Sequence, residues 1–136
     1  MRKQVPDGKN KATDFISKEL IPMIQAAINC HTIGRVISYD RNIHTCDVQP
    51  LPLQSDGDKR AALTECVVPA TIWQVDEALM SLKDIKGYQP MRIGSVVYVG
   101  FNDREMDNWT GKSNYKLASK RMHSIQDPVI EAVIKP

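Results

Sequence analysis

Cysteine, aromatic rings and net charge are all scarce in this 136-residue chain, and each scarcity removes a class of protein. The three cysteines, Cys30, Cys46 and Cys66, are odd in number and form no CxxC pair. Neither a disulfide framework nor a redox motif is therefore encoded, and three free thiols acting as small hydrophobes in a reducing compartment are expected. Aromatic residues make up only 6% of the chain, which argues against a ring-lined binding face. Eighteen Lys and Arg against sixteen Asp and Glu leave +2, too even for a general polyanion binder. No apolar run approaches the roughly eighteen residues that a membrane span needs. The opening MRKQVPDGKNKATD has no apolar stretch behind its basic residues, so neither a secretion signal nor a membrane anchor is expected. There is also no glycine-rich phosphate loop, GxSxG elbow or HExxH helix, so the sequence offers no enzyme signature and implies no cofactor.

What remains is one domain's worth of ordinary globular sequence, 42% hydrophobic, long enough for one core and too short for two. Residues 1–12 carry Arg2, Lys3, Lys9 and Lys11 with Pro6 and Gly8 and no apolar period, and read as a flexible basic tail. Residues 13–30 read as a helix. Ile16, Leu20, Met23, Ile24, Ala27 and Ile28 recur at steps of three and four behind Thr13 as N-cap. Pro22 lies inside that pattern and must kink the helix or split it, with the proline near the start of the second piece. An apolar face of this kind has to be covered by the rest of the chain or by another chain. Phe15, Ile16, Leu20, Met23, Ile24 and Ala27 are accordingly the candidate interface residues.

From residue 31 the period changes to two. Alternating stretches predict strands over about 32–39 and 44–51, joined by Asp40, Arg41 and Asn42 as a turn, and a third strand over 65–75. Asp76 and Glu77 ahead of Leu79, Leu82 and Ile85, with Gly87 beyond, predict a short helix. Further strands are expected over 95–101 and 128–134. The resulting order, a helix followed by three strands, a short helix and two strands, is that of a five-stranded OB-fold Greek-key barrel over 31–136, a mainly β fold. Strands 65–75 and 95–101 look apolar on both faces, so something should cover their outer side.

Between the last two strands the chain turns polar. Asp103, Glu105 and Asp107 alternate as in a calcium loop, but Asn108 and Asn114 stand where that loop needs Gly and Glu. A turn whose carboxylates cap backbone N–H groups and pair with Arg104 or Arg121 fits better. The histidines His31, His44 and His123 have no chelating spacing with the cysteines, which implies no metal. Lys112, Lys116, Lys120 and Arg121, interleaved with Trp109, Tyr115 and His123, offer an alternative function, a single-stranded nucleic-acid groove on the barrel. A solvated loop is the plainer reading, so nucleic acid is not the expected partner.

Three segments, GRVISYDRNIHTCDVQPLP (34–52), IGSVVYVGFNDREMDNW (93–109) and KRMHSIQDPVI (120–130), together resemble the OB-fold N-terminal domain of phage baseplate spike proteins. The matching positions are Val48, Gln49 and Pro50, then Asp103, Arg104, Asp107 and Trp109, and finally Arg121, His123 and Asp127. The resemblance implies a homotrimeric, non-enzymatic spike or hub component at the end of the tail tube, acting as a plug or adaptor for envelope penetration. It also implies neighbouring hub and tail-tube proteins as partners, and assembly in the host cytoplasm into the virion. Only Lys135 and Pro136 follow the last apolar stretch, so the needle and His-x-His iron tip of some spikes are not expected here. On this reading Asp103, Arg104, Asp107, Trp109, Arg121, His123 and Asp127 form a structural network that holds the loop and the last strand.

Overall fold

The computed structural model describes residues 8–136. Most of the expected basic tail lies outside that range, and its final residues are helical, because α1 runs Gly8–Phe15 and includes Thr13 in its interior. A π-helical turn, Ile16–Leu20, joins it to α2, Ile21–Ala27. Pro22 explains the interruption: it has no N–H to give to the carbonyl four residues back, and its ring collides with that carbonyl. A widened turn just ahead of it relieves the collision, and the Ile21 N–H reaches back five residues to the Ile16 carbonyl. Ser17 Oγ donates to the Thr13 carbonyl at 3.0 Å, a local bond that favours the same distortion. The helix is thus split with Pro22 in the first turn of the second piece.

Five strands follow: β1 His31–Asp40, β2 Thr45–Pro50, β3 Leu63–Val67, β4 Val96–Phe101 and β5 Pro128–Lys135. They close in the order β1-β2-β3-β5-β4, an OB-like barrel of the expected class, with α3 (Ala70–Met80) between β3 and β4. All pairs are antiparallel except β3 with β5, which meet in parallel at Val67 and Val129. At the β1–β2 turn the Asp40 carboxylate accepts the Asn42 N–H at 2.9 Å, so the turn residues act as expected. Gly34 is required in β1, since a Cβ there would run into the Val48 side chain and the Gln49 carbonyl.

The core consists of inward residues from every strand, among them Val36, Val48, Leu63, Val97, Val99 and Ile130, together with Met91, and Ile72 and Trp73 pack against it. Cys46 and Cys66 face each other across β2 and β3 and are buried free thiols, whereas Cys30 is exposed and does not act as a core hydrophobe. The hydrogen bond with Cys46, and burial after it, push the Cys66 thiol far above its ordinary range, so it is inert.

Two elements sit earlier in the chain than expected. The third strand ends at Val67, and residues 70–80 are the helix that the sequence pattern placed at 76–86. The β-branched residues Thr71, Ile72 and Val75 imitate a strand, but Ile72, Trp73 and Asp76 share a helical face turned to the barrel, and tertiary packing decides. The outer face of β3 is also more polar than expected, because Thr64 and Glu65 are exposed. The β4 expectation holds: register aligns Ile33, Tyr98 and Ala132 in one outward row across β1, β4 and β5, and all three are exposed. No helix among the described residues is long and apolar enough to cross a membrane.

Candidate functional site

The loop between β4 and β5, residues 102–127, carries the sequence-marked residues and gathers two of them, Asp107 and Asp127, around Arg121. Its Nε and Nη2 hold both oxygens of Asp127, at 2.9 and 2.8 Å, and Nη2 and Nη1 hold Asp107, at 2.8 and 3.3 Å. Asp127 is 1% exposed and also accepts the Met106 N–H at 3.0 Å. Burial pushes its carboxyl upward, but the Arg121 hydrogen bonds and the Met106 amide override burial and leave it below the usual carboxylate range. The paired carboxylates, Asp127 foremost, in turn raise Arg121 above its ordinary value.

Asp103, Arg104 and His123 form a second, more exposed cluster at the root of the loop. His123 Nε2 lies 3.2 Å from Asp103 and Arg104 Nε 3.4 Å from it, while Arg104 and Met122 make a single antiparallel bridge. His123 has φ +46°, a left-handed conformation that costs a non-glycine residue energy, and its carbonyl accepts the Asn29 side chain at 2.9 Å. That bond joins the exit of the N-terminal helix to the loop. Trp109 takes no part in the ion pairs. Its indole N–H donates to the Gly111 carbonyl at 2.7 Å and the ring is 42% exposed.

Glu105 is a member that the motif reading did not include. It is fully buried and accepts the N–H groups of Ala118 and Ser119 and the Ser119 hydroxyl. The Ser119 hydroxyl first, then the two amides, hold its carboxyl below the usual range against burial. Tyr115 donates its hydroxyl to the Glu105 carbonyl at 2.8 Å. The only signal for this role in the sequence was the alternation of carboxylates, which names a turn but not the residue that enters it.

The three alternating carboxylates therefore serve three separate tasks: Asp103 binds side chains at the loop root, Glu105 caps backbone, and Asp107 grips Arg121. Among the described residues no group of three or more His, Cys, Asp and Glu is placed to share a metal ion. A groove runs over β2 and β3 beside this loop, lined by Ile43, Thr45, Glu65, Asp107, Trp109 and Ile125. Its three acidic residues, Glu65, Asp107 and Asp127, and the engagement of Arg121 with carboxylates, are unfavourable for a phosphate backbone.

The other sequence-marked set is the helix. Phe15, Ile16, Met23, Ile24 and Ala27 are exposed, Met23 to 65%, and Leu20 is partly so. Among the described residues α1, the π turn and α2 pack in any extent only on one another. Total accessible surface is 10318 Å², against about 7,100 Å² for a compact monomer of this mass. No protein-family model matches this chain, and no curated protein matches it either.

Proposed function

We propose that this chain is a non-enzymatic structural subunit that self-associates, an OB-fold spike or hub component of a phage tail baseplate, assembled in the host cytoplasm into the virion. The observation that carries the reading is the uncovered apolar surface: a helix with one apolar face and, among the described residues, no partner, on a barrel whose outer β1–β4–β5 face shows Ile33 and Tyr98. Large exposed apolar side chains grouped on one helix face mark an interaction surface, and in a closed cyclic assembly each copy would cover a neighbour. The loop hub supports a structural role because its charged groups are consumed by one another and by backbone amides. Glu105, which accepts the Ser119 hydroxyl, is also held by the Ala118 and Ser119 amides, the arrangement of a backbone cap. The location in a tail, the trimeric count and the hub and tail-tube partners rest on the resemblance of the three segments named above.

Sedimentation equilibrium at tens of micromolar tests the assembly, with a mass near three times that of the chain expected and a strict monomer decisive against it. Imaging of a particle containing the chain tests location, where density on the tail axis is the expected result. The nucleic-acid alternative finds less support in the acidic groove, and salt-dependent binding of a single-stranded oligonucleotide lost on neutralising Lys116 and Lys120 would revive it.

A further inference from the structure

The barrel is closed unevenly. β3 is laddered to β2 from Leu63 to Val67, but its other edge meets β5 at one register position, Val67 with Val129. A parallel ladder continued from that pair would set residues 63–66 beside residues 125–128. That pairing is not made, and beyond the ladder with β2 no backbone–backbone hydrogen bond among the described residues reaches residues 62–66. The gap is the groove beside the long loop, about 600 Å³, with Ala62, Thr64 and Glu65 along one wall and Ile125, Gln126 and Pro128 along the other. An edge about 17 Å long thus lies open in the barrel wall, and an open edge accepts one more strand. Its lining sets the side chains that such a strand needs. Ile43, Trp109 and Ile125 offer apolar contact and are exposed to 64%, 42% and 50%. Glu65 is exposed and, among the described residues, in no ion pair, and Asp107 keeps half of its side chain in water. The groove suits an extended segment that carries both cationic and apolar side chains.

We infer that residues 2–5 of a second copy, Arg-Lys-Gln-Val, add as a strand to this open edge of β3, an inference that rests on the self-association proposed above. Charge selects the segment. Arg2 and Lys3 point to opposite faces of a strand, so a cation meets Glu65 in either register, and Val5 supplies an apolar contact. Pro6 has no N–H to give and ends the ladder. Reach selects the second copy. From Gly8 to Ala27 the helical segment is about 30 Å long, and among the described residues it packs in any extent only on itself. Ile28 and Asn29 at its foot share a cavity with Ile125, so the groove opens at the end of the helix far from Gly8. Seven residues span at most about 25 Å, which directs the segment to a neighbouring barrel and away from its own.

Charge exchange in the full chain tests this. Arg2→Glu with Lys3→Glu is expected to weaken association about tenfold by sedimentation equilibrium, Glu65→Lys to do the same, and the chain with all three substitutions to recover it. Amide exchange over residues 62–66 is expected to slow as wild-type concentration rises and to stay fast in either charge variant. Association and exchange unchanged by Arg2→Glu with Lys3→Glu overturn the inference while self-association through another surface stands. A triple variant that does not recover overturns the pairing with Glu65. Slow exchange that is independent of concentration and lost in the Arg2→Glu, Lys3→Glu chain places the segment on its own barrel and overturns the second copy as occupant. A wild-type chain that stays monomeric removes the self-association itself, and a synthetic peptide of residues 1–6 added to the Arg2→Glu, Lys3→Glu chain then decides the groove alone. The peptide is expected to shift the amide signals of residues 62–66 and to lose that effect with Glu65→Lys, and no shift at all overturns the site.

Discussion

Arg121 is the residue on which the long loop turns. Its planar fork meets Asp127 on one side and Asp107 on the other, and a lysine reaches only one of them as a point charge. Arg121→Lys is therefore expected to loosen the loop while leaving the barrel intact, seen as faster amide exchange at Met106, whose N–H is held by Asp127. Acid acts on the same hub. Asp127 and Glu105 both lie below their ordinary values in the folded chain, so each binds its proton less readily folded than unfolded. Their contribution to stability is complete above the unfolded values near about 4 and is lost as pH falls through the lowered ones. Melting followed from pH 6 down to 2 should show a steep loss below about pH 4, and Asp127→Asn should flatten it. Asp107, Arg121 and Asp127 were legible as partners because opposite charges in one polar segment seek each other. Glu105 was not, since its partners are backbone amides and a hydroxyl, which composition does not reveal.

At the scale of elements, strand pairing and the long polar loop could be read from the sequence, because period-two alternation and turn residues are local signals. The boundary between β3 and α3 could not, as Thr71, Ile72 and Val75 fit either element and only the barrel mouth, with His44 stacked on Trp73 at 3.9 Å, chooses the helix. The buried Asp76 shows what that choice achieves. Its two oxygens take the Tyr88 hydroxyl and the Met91 N–H, so one carboxylate on α3 ties down the turn-rich stretch that leads to β4. The hydrogen bond to Asp76, before any effect of burial, pushes the Tyr88 phenol up to about 12. A raised value means that the folded chain keeps this proton longer than the unfolded one. Stability from this bond is thus full below about pH 10 and disappears as pH rises toward the folded value. Phenolate absorbance should show one late-titrating tyrosine, absent in Tyr88→Phe, and that substitution should cost about 1–2 kcal/mol at neutral pH by stranding an Asp76 oxygen.

For the whole molecule the consequence is mass action. If the helix stripe and the outer sheet face are covered only in the assembly, folded copies are stabilised by association and unfolded ones are not, so apparent stability must depend on concentration. A hundredfold rise in protein concentration is expected to raise the melting temperature by several degrees, since for a domain of this length about 1 kcal/mol moves the midpoint by roughly 3–5 °C. The barrel's own core, from Val36 to Ile130, is closed without the helix. A Leu20→Asp, Ile24→Asp chain should therefore lose the concentration dependence and keep a single cooperative transition at the lower temperature limit of the wild type. A scan in which wild-type melting is flat across that range would mean that the exposed Met23, Ile24 and Tyr98 are tolerated in water, and the structural reading of this chain would lose its physical basis.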